Sequence, residues 1–162
     1  MLKRAIISGL PSGGANVWDL RNLPIPVARY YTRVSEAAGG VHVRLSPFDQ
    51  RVVDIRFFAA DGLNLSKDAE RNIERVFFRE DFRRAYMDDI GLIAYAPDAV
   101  ERYIEGFMAA IDSDAIRSAG LRVVVDYAHA PNSEVLPEIL DRLAVDVIPL
   151  NARVDPNRMA LL

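Results

Sequence analysis

Residues 121–150 read LRVVVDYAHAPNSEVLPEILDRLAVDVIPL. The run from Leu121 to Tyr127 has the β-branched composition of a buried strand and carries an acid, Asp126, near its end. A loop, Ala128-His129-Ala130-Pro131-Asn132, follows. Ser133 suits a helix N-cap, and Val135, Leu136, Ile139, Leu140 and Leu143 give the next helix one apolar face. Val145 to Leu150 is a second strand. Strand, loop, helix and strand over this length make a βαβ unit with parallel pairing. Just upstream, Val100, Tyr103, Ile104, Phe107, Met108 and Ile111 form one apolar helical stripe, opened by Pro97. Asp112 to Ala119 predicts a short helix closed by Gly120.

The N-terminal half has the same character. Leu2 to Ser8 reads as the last turns of a helix, stopped by Gly9 and Pro11. Ala15 to Leu20 is a short strand. Pro26 opens a helix whose apolar positions are Val27, Tyr30, Tyr31, Val34 and Ala38, ended by Gly39-Gly40. Val41 to Leu45 and Val52 to Ala59 are strands joined by a turn at Ser46-Pro47-Phe48-Asp49. On the second, alternation puts Asp54, Arg56 and Phe58 on one face and the wholly apolar Val53, Ile55 and Phe57 on the other, so Arg56 points away from the main core. Ser66 caps a helix to about Phe78. The charged run 79–84 reads as a solvated helical face, where Glu80 and Arg84 can pair at i,i+4, or else as a contact for a further domain. Gly91 to Tyr95 is a short strand. The expected fold is α/β, with two three-layer α/β/α lobes and mixed, mostly parallel sheets. The lobes cover 1–96 and 97–162 and meet near Ala94 to Asp98. The opening helix and the tail after Asn151 suggest a piece of a longer protein, cut at both ends.

The chain has 162 residues, 51% apolar and 27% charged, which excludes a mostly disordered class. Its formal net charge is −3, so no general attraction to nucleic acid or an anionic membrane follows. With no cysteine, disulfides, thiolate metal sites and cysteine nucleophiles are excluded. No apolar run reaches the ~18 residues of a spanning helix, and the N-terminus lacks a signal-peptide core. A cytoplasmic chain without nucleic-acid or membrane partners is expected.

Ser46 is the most informative polar position. It stands where a strand leaves the sheet, the edge at which ligands gather in open α/β folds. A hydroxyl on a tight turn there is placed to carry or receive a phosphoryl group. It equally suits a turn residue bonding its own backbone. His42 reads as an ordinary strand residue, and no metal site joins it to His129. Asp126 suits a strand-end residue bonding loop amides, and His129 lies beside it at the ligand edge. Ser12-Gly13-Gly14 and Gly39-Gly40 lack the spacing of a phosphate loop and read as turns.

Gly40-Val41-His42-Val43-Arg44-Leu45-Ser46-Pro47 resembles the active-serine segment of the α-D-phosphohexomutases, the phosphomannomutase and phosphoglucomutase family, whose pattern is Gly, an apolar strand and T-A-S-H-N-P. Collinear stretches support the resemblance: Ser8-Gly9-Leu10, 16–20, Pro24-Ile25-Pro26-Val27, 53–58 and 121–129. Residues 55–58, 77–84 and 150–152 look closer still to the mutase-like half of bacterial mannose-1-phosphate guanylyltransferase fusion proteins, in which a sugar nucleotidyltransferase domain precedes the mutase domains.

The resemblance implies phosphoryl transfer on mannose or glucose phosphates for nucleotide-sugar synthesis. By position, Ser46 would be the phosphorylated serine, binding Mg²⁺ only through its phosphoryl group. Arg56 stands where the family often has a Lys beside the transferring phosphate, and Arg44 and His129 are candidate substrate-binding residues. Departures are plain: Pro47 and Phe48 replace the His and Asn, and the second-domain glycine loop reads His129-Ala130-Pro131-Asn132. The D-G-D-x-D-R metal loop is absent from the sequence. Mg²⁺ is therefore expected in a full-length enzyme and not on this chain alone, which is expected to be inactive without the remaining domains of its polypeptide. Two other readings stay open: a degenerate module that binds sugar phosphate or supports a homo-oligomer, and an unrelated α/β binding domain. A buried Ser46 hydroxyl, or an Arg56 directed away from it, would favour the degenerate module.

Overall fold

The structure is a computed structural model that describes residues 2–46, 48–49, 51–156 and 158–159. Helix α1 (Leu2–Ser12) leads into β1 (Val17–Asp19), α2 (Ile25–Val34), β2 (Gly39–Leu45) and β3 (Val53–Ala59). Then come α3 (Lys67–Arg79), β4 (Ile93–Tyr95), α4 (Ala99–Ala109), α5 (Ser113–Ser118), β5 (Arg122–Asp126), α6 (Leu136–Arg142) and β6 (Asp146–Leu150). The fold is mixed α/β. Strands β1 and β4 pair in parallel, β5 and β6 pair in parallel, and β2 and β3 pair antiparallel. None of these pairs joins a strand before Ala96 to one after it.

Helix α2 begins at Ile25 behind Pro24 because proline fixes φ and gives up an amide that the first turn leaves unpaired anyway. It buries Val27 and Tyr31 against Ala99 and Ile104 of α4 and Ile139 of α6, with Val135 and Leu143 completing the cluster. The stripe Val100, Tyr103, Phe107, Met108 and Ile111 packs around it, as its spacing predicts. Gly106 is required at this seam. A Cβ there would stand 2.0 Å from the Tyr30 hydroxyl oxygen. Arg142 of α6 ties the same elements at the surface, reaching Glu101 on α4 at 2.9 Å and Glu138 at 2.6 Å.

Several local expectations are corrected. Helix α1 runs through Gly9 and Pro11 to Ser12, because a proline in the last turn forfeits only one helical bond. Gly39-Gly40 does not end α2, which stops at Val34; the pair opens β2 instead. Gly40 is needed there because a Cβ would fall 2.2 Å from the Phe58 ring. Ser133 does not cap α6. Residues Pro131–Glu134 form a 3₁₀ turn in which its hydroxyl donates to the Ala130 carbonyl. Helix α3 ends at Arg79, with Glu80 left-handed as its C-cap, so 80–84 is not helical and no Glu80–Arg84 pair forms among the described residues. The largest correction concerns β3. Its apolar side chains Val53, Ile55 and Phe57 are exposed, whereas Phe58, on the Arg56 face, is buried. The alternation holds, but the face that meets α2 is the mixed one, because the Phe58 ring fills the space that Gly40 leaves under Thr32.

Ile104 is fully buried at the seam between α2 and α4. Ile104→Ala is expected to cost about 2–5 kcal/mol. Urea unfolding should show a lower midpoint and a single transition for both halves of the chain.

Candidate functional site

The β2–β3 register fixes what faces what. His42 lies opposite Arg56, Arg44 opposite Asp54, and Leu45 opposite Val53. Side chains alternate along a strand, so Gly40, His42, Arg44 and Ser46 share one face with Asp54, Arg56 and Phe58. Ser46 extends the ladder by one rung, its amide donating to the Val52 carbonyl at 2.8 Å.

Ser46 therefore sits at the strand end, as expected, but its side chain is buried, only 7% of the residue being exposed. Its hydroxyl oxygen accepts the Phe48 amide at 3.3 Å, the local turn bond that a serine here readily makes. Pro47, which replaces the family's histidine, lies outside the described residues.

Arg56 is not brought to Ser46. The residue opposite Ser46 is Val52, four positions earlier, so Arg56 lies about 13 Å along the strand. Its guanidinium instead faces Asp54 at 3.9 Å and borders an open groove of about 490 Å³ between β3 and α3. Arg44 is the guanidinium that shares the face of Ser46, two residues along β2. It donates through Nε and Nη2 to Asp54 Oδ2, at 3.2 and 3.1 Å. His42 was read as an unremarkable strand residue, yet it lies among these charges. Burial, then the Arg44, Arg29 and Arg56 guanidiniums, hold its imidazole below the ordinary value, opposed by a bond to the Leu23 carbonyl. The alternate spacing of His42, Arg44 and Ser46 was the available signal for this grouping.

His129 forms a second, separate constellation at the end of β5. No hydrogen bond or ion pair joins it to Ser46, Arg44 or Arg56. Its Nδ1 lies 2.9 Å from the Arg153 carbonyl, which can only accept, so Nδ1 donates this bond and Nε2 makes none among the described residues. Asp126 behaves as a strand-end residue. Its Oδ1 accepts from the Ala128 amide at 2.8 Å and from Asn151 Nδ2 at 2.9 Å. Those two bonds, the Asn151 one first, hold its carboxyl below the usual range. Ala128 and His129 both adopt left-handed backbone, with φ of 50° and 59°, where glycine costs least. Asn151, missed in the sequence, ties the tail after β6 back to this loop.

Mg²⁺ does not fit these residues by themselves. Among the described residues no three His, Asp or Glu side chains gather as a metal cage. No helix among them is long and apolar enough to cross a membrane.

Two outcomes follow for the β5 loop. Ala128→Gly relieves left-handed strain and should raise stability by about 0.5 kcal/mol in urea unfolding; a lower midpoint would contradict this. The folded pKa of Asp126 lies below its unfolded value, near the ordinary 3.8. Its contribution is complete above the unfolded value and lost as pH falls through the folded one. Stability measured from neutral pH down should therefore fall less steeply below about pH 4 in Asp126→Asn than in the parent.

Residues 1–84 match the family model "Phosphoglucomutase/phosphomannomutase, alpha/beta/alpha domain I", and 101–160 match domain II of the same family. A phosphoglucomutase/phosphomannomutase of Thermococcus kodakarensis is 35% identical over 155 residues, covering 96% of this chain and 34% of that protein. A phosphoglucosamine mutase of Rhodococcus jostii is 35% identical over 156 residues, again covering 96% and 34%. The chain thus spans about a third of the length of these relatives. A solved phosphoglucomutase/phosphomannomutase family protein from Burkholderia thailandensis shares the fold, with a TM-score of 0.74 at 16% identity over 96% of this chain and 34% of that one. Both halves match consecutive domains of one family, in order, and the chain belongs to the phosphoglucomutase/phosphomannomutase family.

Proposed function

We propose that the protein to which these lobes belong handles hexose phosphates, mannose or glucose, for nucleotide-sugar synthesis in the cytoplasm, and that this chain binds the sugar phosphate without carrying the phosphoryl group. The observation that supports the second part is Ser46, a residue only 7% exposed whose hydroxyl oxygen already accepts a backbone amide. Arg56 starts about 13 Å along the strand from Ser46, and its guanidinium faces Asp54. In this reading Arg44 meets the phosphate, and His129 Nε2 accepts a sugar hydroxyl from the second lobe. A sugar nucleotidyltransferase domain precedes the chain in the same polypeptide, and homo-oligomerisation is part of its role.

The second reading is phosphoryl transfer through Ser46, favoured by its place at the end of β2 in a collinear family match. The bond between phosphorus and the sugar ester oxygen of a hexose bisphosphate would break as Ser46 Oγ bonds to phosphorus, the serine proton ending on that sugar oxygen as the hydroxyl of the hexose monophosphate released. The phosphoserine, with about −1.5 to −2 charge, would then be paired by Arg44. Mg²⁺ would supply charge neutralisation, held through that phosphoryl group and by carboxylates outside this chain.

Incubating the full-length protein with glucose 1,6-bisphosphate or mannose 1,6-bisphosphate and Mg²⁺, then measuring intact mass, separates the readings. No phosphoryl increment is expected on Ser46, while mannose 1-phosphate binds saturably by calorimetry and weakens in Arg44→Gln. An increment present in the parent and absent in Ser46→Ala would establish the second reading. The isolated 162-residue chain should stay at background in coupled mutase assays with mannose 1-phosphate or glucose 1-phosphate.

A further inference from the structure

Strand β3 is an open edge of its two-stranded ribbon. The Ser46 amide bonds the Val52 carbonyl, so the even positions of β3 turn their backbone groups to β2. The odd positions, Val53, Ile55 and Phe57, turn theirs the other way. On that side the Ala59 amide meets the Leu63 carbonyl and Phe58 bridges Asn64, which closes only the end of the edge. From 53 to 57 the outward amides and carbonyls have no partner among the described residues. The space beside them is the open groove of about 490 Å³, walled opposite by Glu70, Ile73 and Glu74 of α3.

An edge of this kind is a template for another strand, and proteins commonly blunt it with lysine or proline. Residues 53–59 contain neither, and Val53, Ile55 and Phe57 are apolar and exposed. The strand is also complementary to itself when read antiparallel. The backbone pattern requires odd positions to face odd ones. Setting Ile55 opposite Ile55 puts Val53 opposite Phe57 and Asp54 opposite Arg56. The charged pair then falls at a position without hydrogen bonds, where facing side chains stand closest. Arg44 and Arg56 of the same chain both meet Asp54 Oδ2, which leaves Oδ1 for Arg56 of a second copy. Sliding by one repeat sets Asp54 against Asp54, or Arg56 against Arg56, and like charges directly opposite oppose pairing.

We propose that two copies of this chain pair antiparallel through residues 53–57 about a two-fold axis at Ile55, joining their ribbons into one four-stranded sheet. Three facing pairs of odd positions supply about six inter-strand hydrogen bonds, and one isologous surface serves both copies. This gives the surface for the homo-oligomer proposed above. It rests on that part of the reading alone, and its test uses no sugar phosphate.

Sedimentation equilibrium on the full-length protein should show a dimer. Ile55→Lys sets like charges opposite each other across the axis and should raise the dissociation constant on the order of tenfold or more. Its circular dichroism should match the parent, because Ile55 is exposed. Ile55→Cys should close a disulfide between copies on mild oxidation with copper phenanthroline, since facing hydrogen-bonded Cα atoms about 5.5 Å apart match the span of a disulfide. Peptide mapping should find residue 55 joined to residue 55, in a stretch that otherwise has no cysteine. A monomeric protein, a dimer that Ile55→Lys leaves unchanged, or no 55–55 linkage would overturn the proposal. A monomer in which the amides of 53, 55 and 57 resist hydrogen exchange would overturn it in favour of another segment of the same polypeptide on this edge. A dimer with the 55–55 linkage but no binding of mannose or glucose phosphates would leave the proposal standing and remove only the sugar-phosphate reading.

Discussion

The seam between α2, α4 and α6 carries the architecture. Val27 and Tyr31 on α2 close on Ile104, Val135 and Ile139, residues that the sequence distributes over more than a hundred positions. Burying side chains of this size contributes about 1.5–3 kcal/mol each, and here the two lobes share that contribution. The same helix also reaches the ribbon. Thr32 stands over Gly40, and the Phe58 ring lies beneath. One helix therefore sets both the approach of the second lobe and the face that β2 and β3 turn inward.

That inward face decides the chemistry. Because Gly40 and Phe58 are drawn under α2, the alternation carries His42, Arg44 and Ser46 to the same side. The apolar side chains of β3 are left outward. Ser46 is thereby buried at the strand end, and the guanidinium beside it on that face is Arg44 rather than Arg56. At the end of β5, left-handed Ala128 and His129 keep the shape of a glycine-rich turn without its glycines. The bonds from Asn151 and the Arg153 carbonyl over-determine that turn.

Much of this was legible in the residues. The βαβ unit at 121–150 follows from β-branched runs flanking a helical period, and the stripe on α4 follows from i, i+3, i+4 spacing. The cap at Ser66 is realised by its bond to the Ala69 amide. Family membership was readable from the collinear order of weak segments, each of them ambiguous alone. What could not be read was tertiary. Periodicity separates the two faces of β3 but does not say which one α2 will cover; that depends on a glycine meeting a phenylalanine across the ladder. The separation of Arg56 from Ser46 depends on the pairing register, which the turn between the strands sets. The contact of Asn151 with Asp126 joins two strand ends, and no local pattern encodes it. Gly39-Gly40 and Ser133 were misread because the same residue types serve strand entry, turn and cap, and the local sequence leaves that choice to packing.

Helix α2 binds both halves of the chain into one core, and the placement of the polar ribbon face follows from it. Native-state hydrogen exchange measures this directly. The most protected amides of α2, α4 and α6 should open with a common free energy and a common denaturant dependence, equal to those of global unfolding. Protection of α2 lost at markedly lower free energy than that of α4 and α6 would show two independent units and contradict the account.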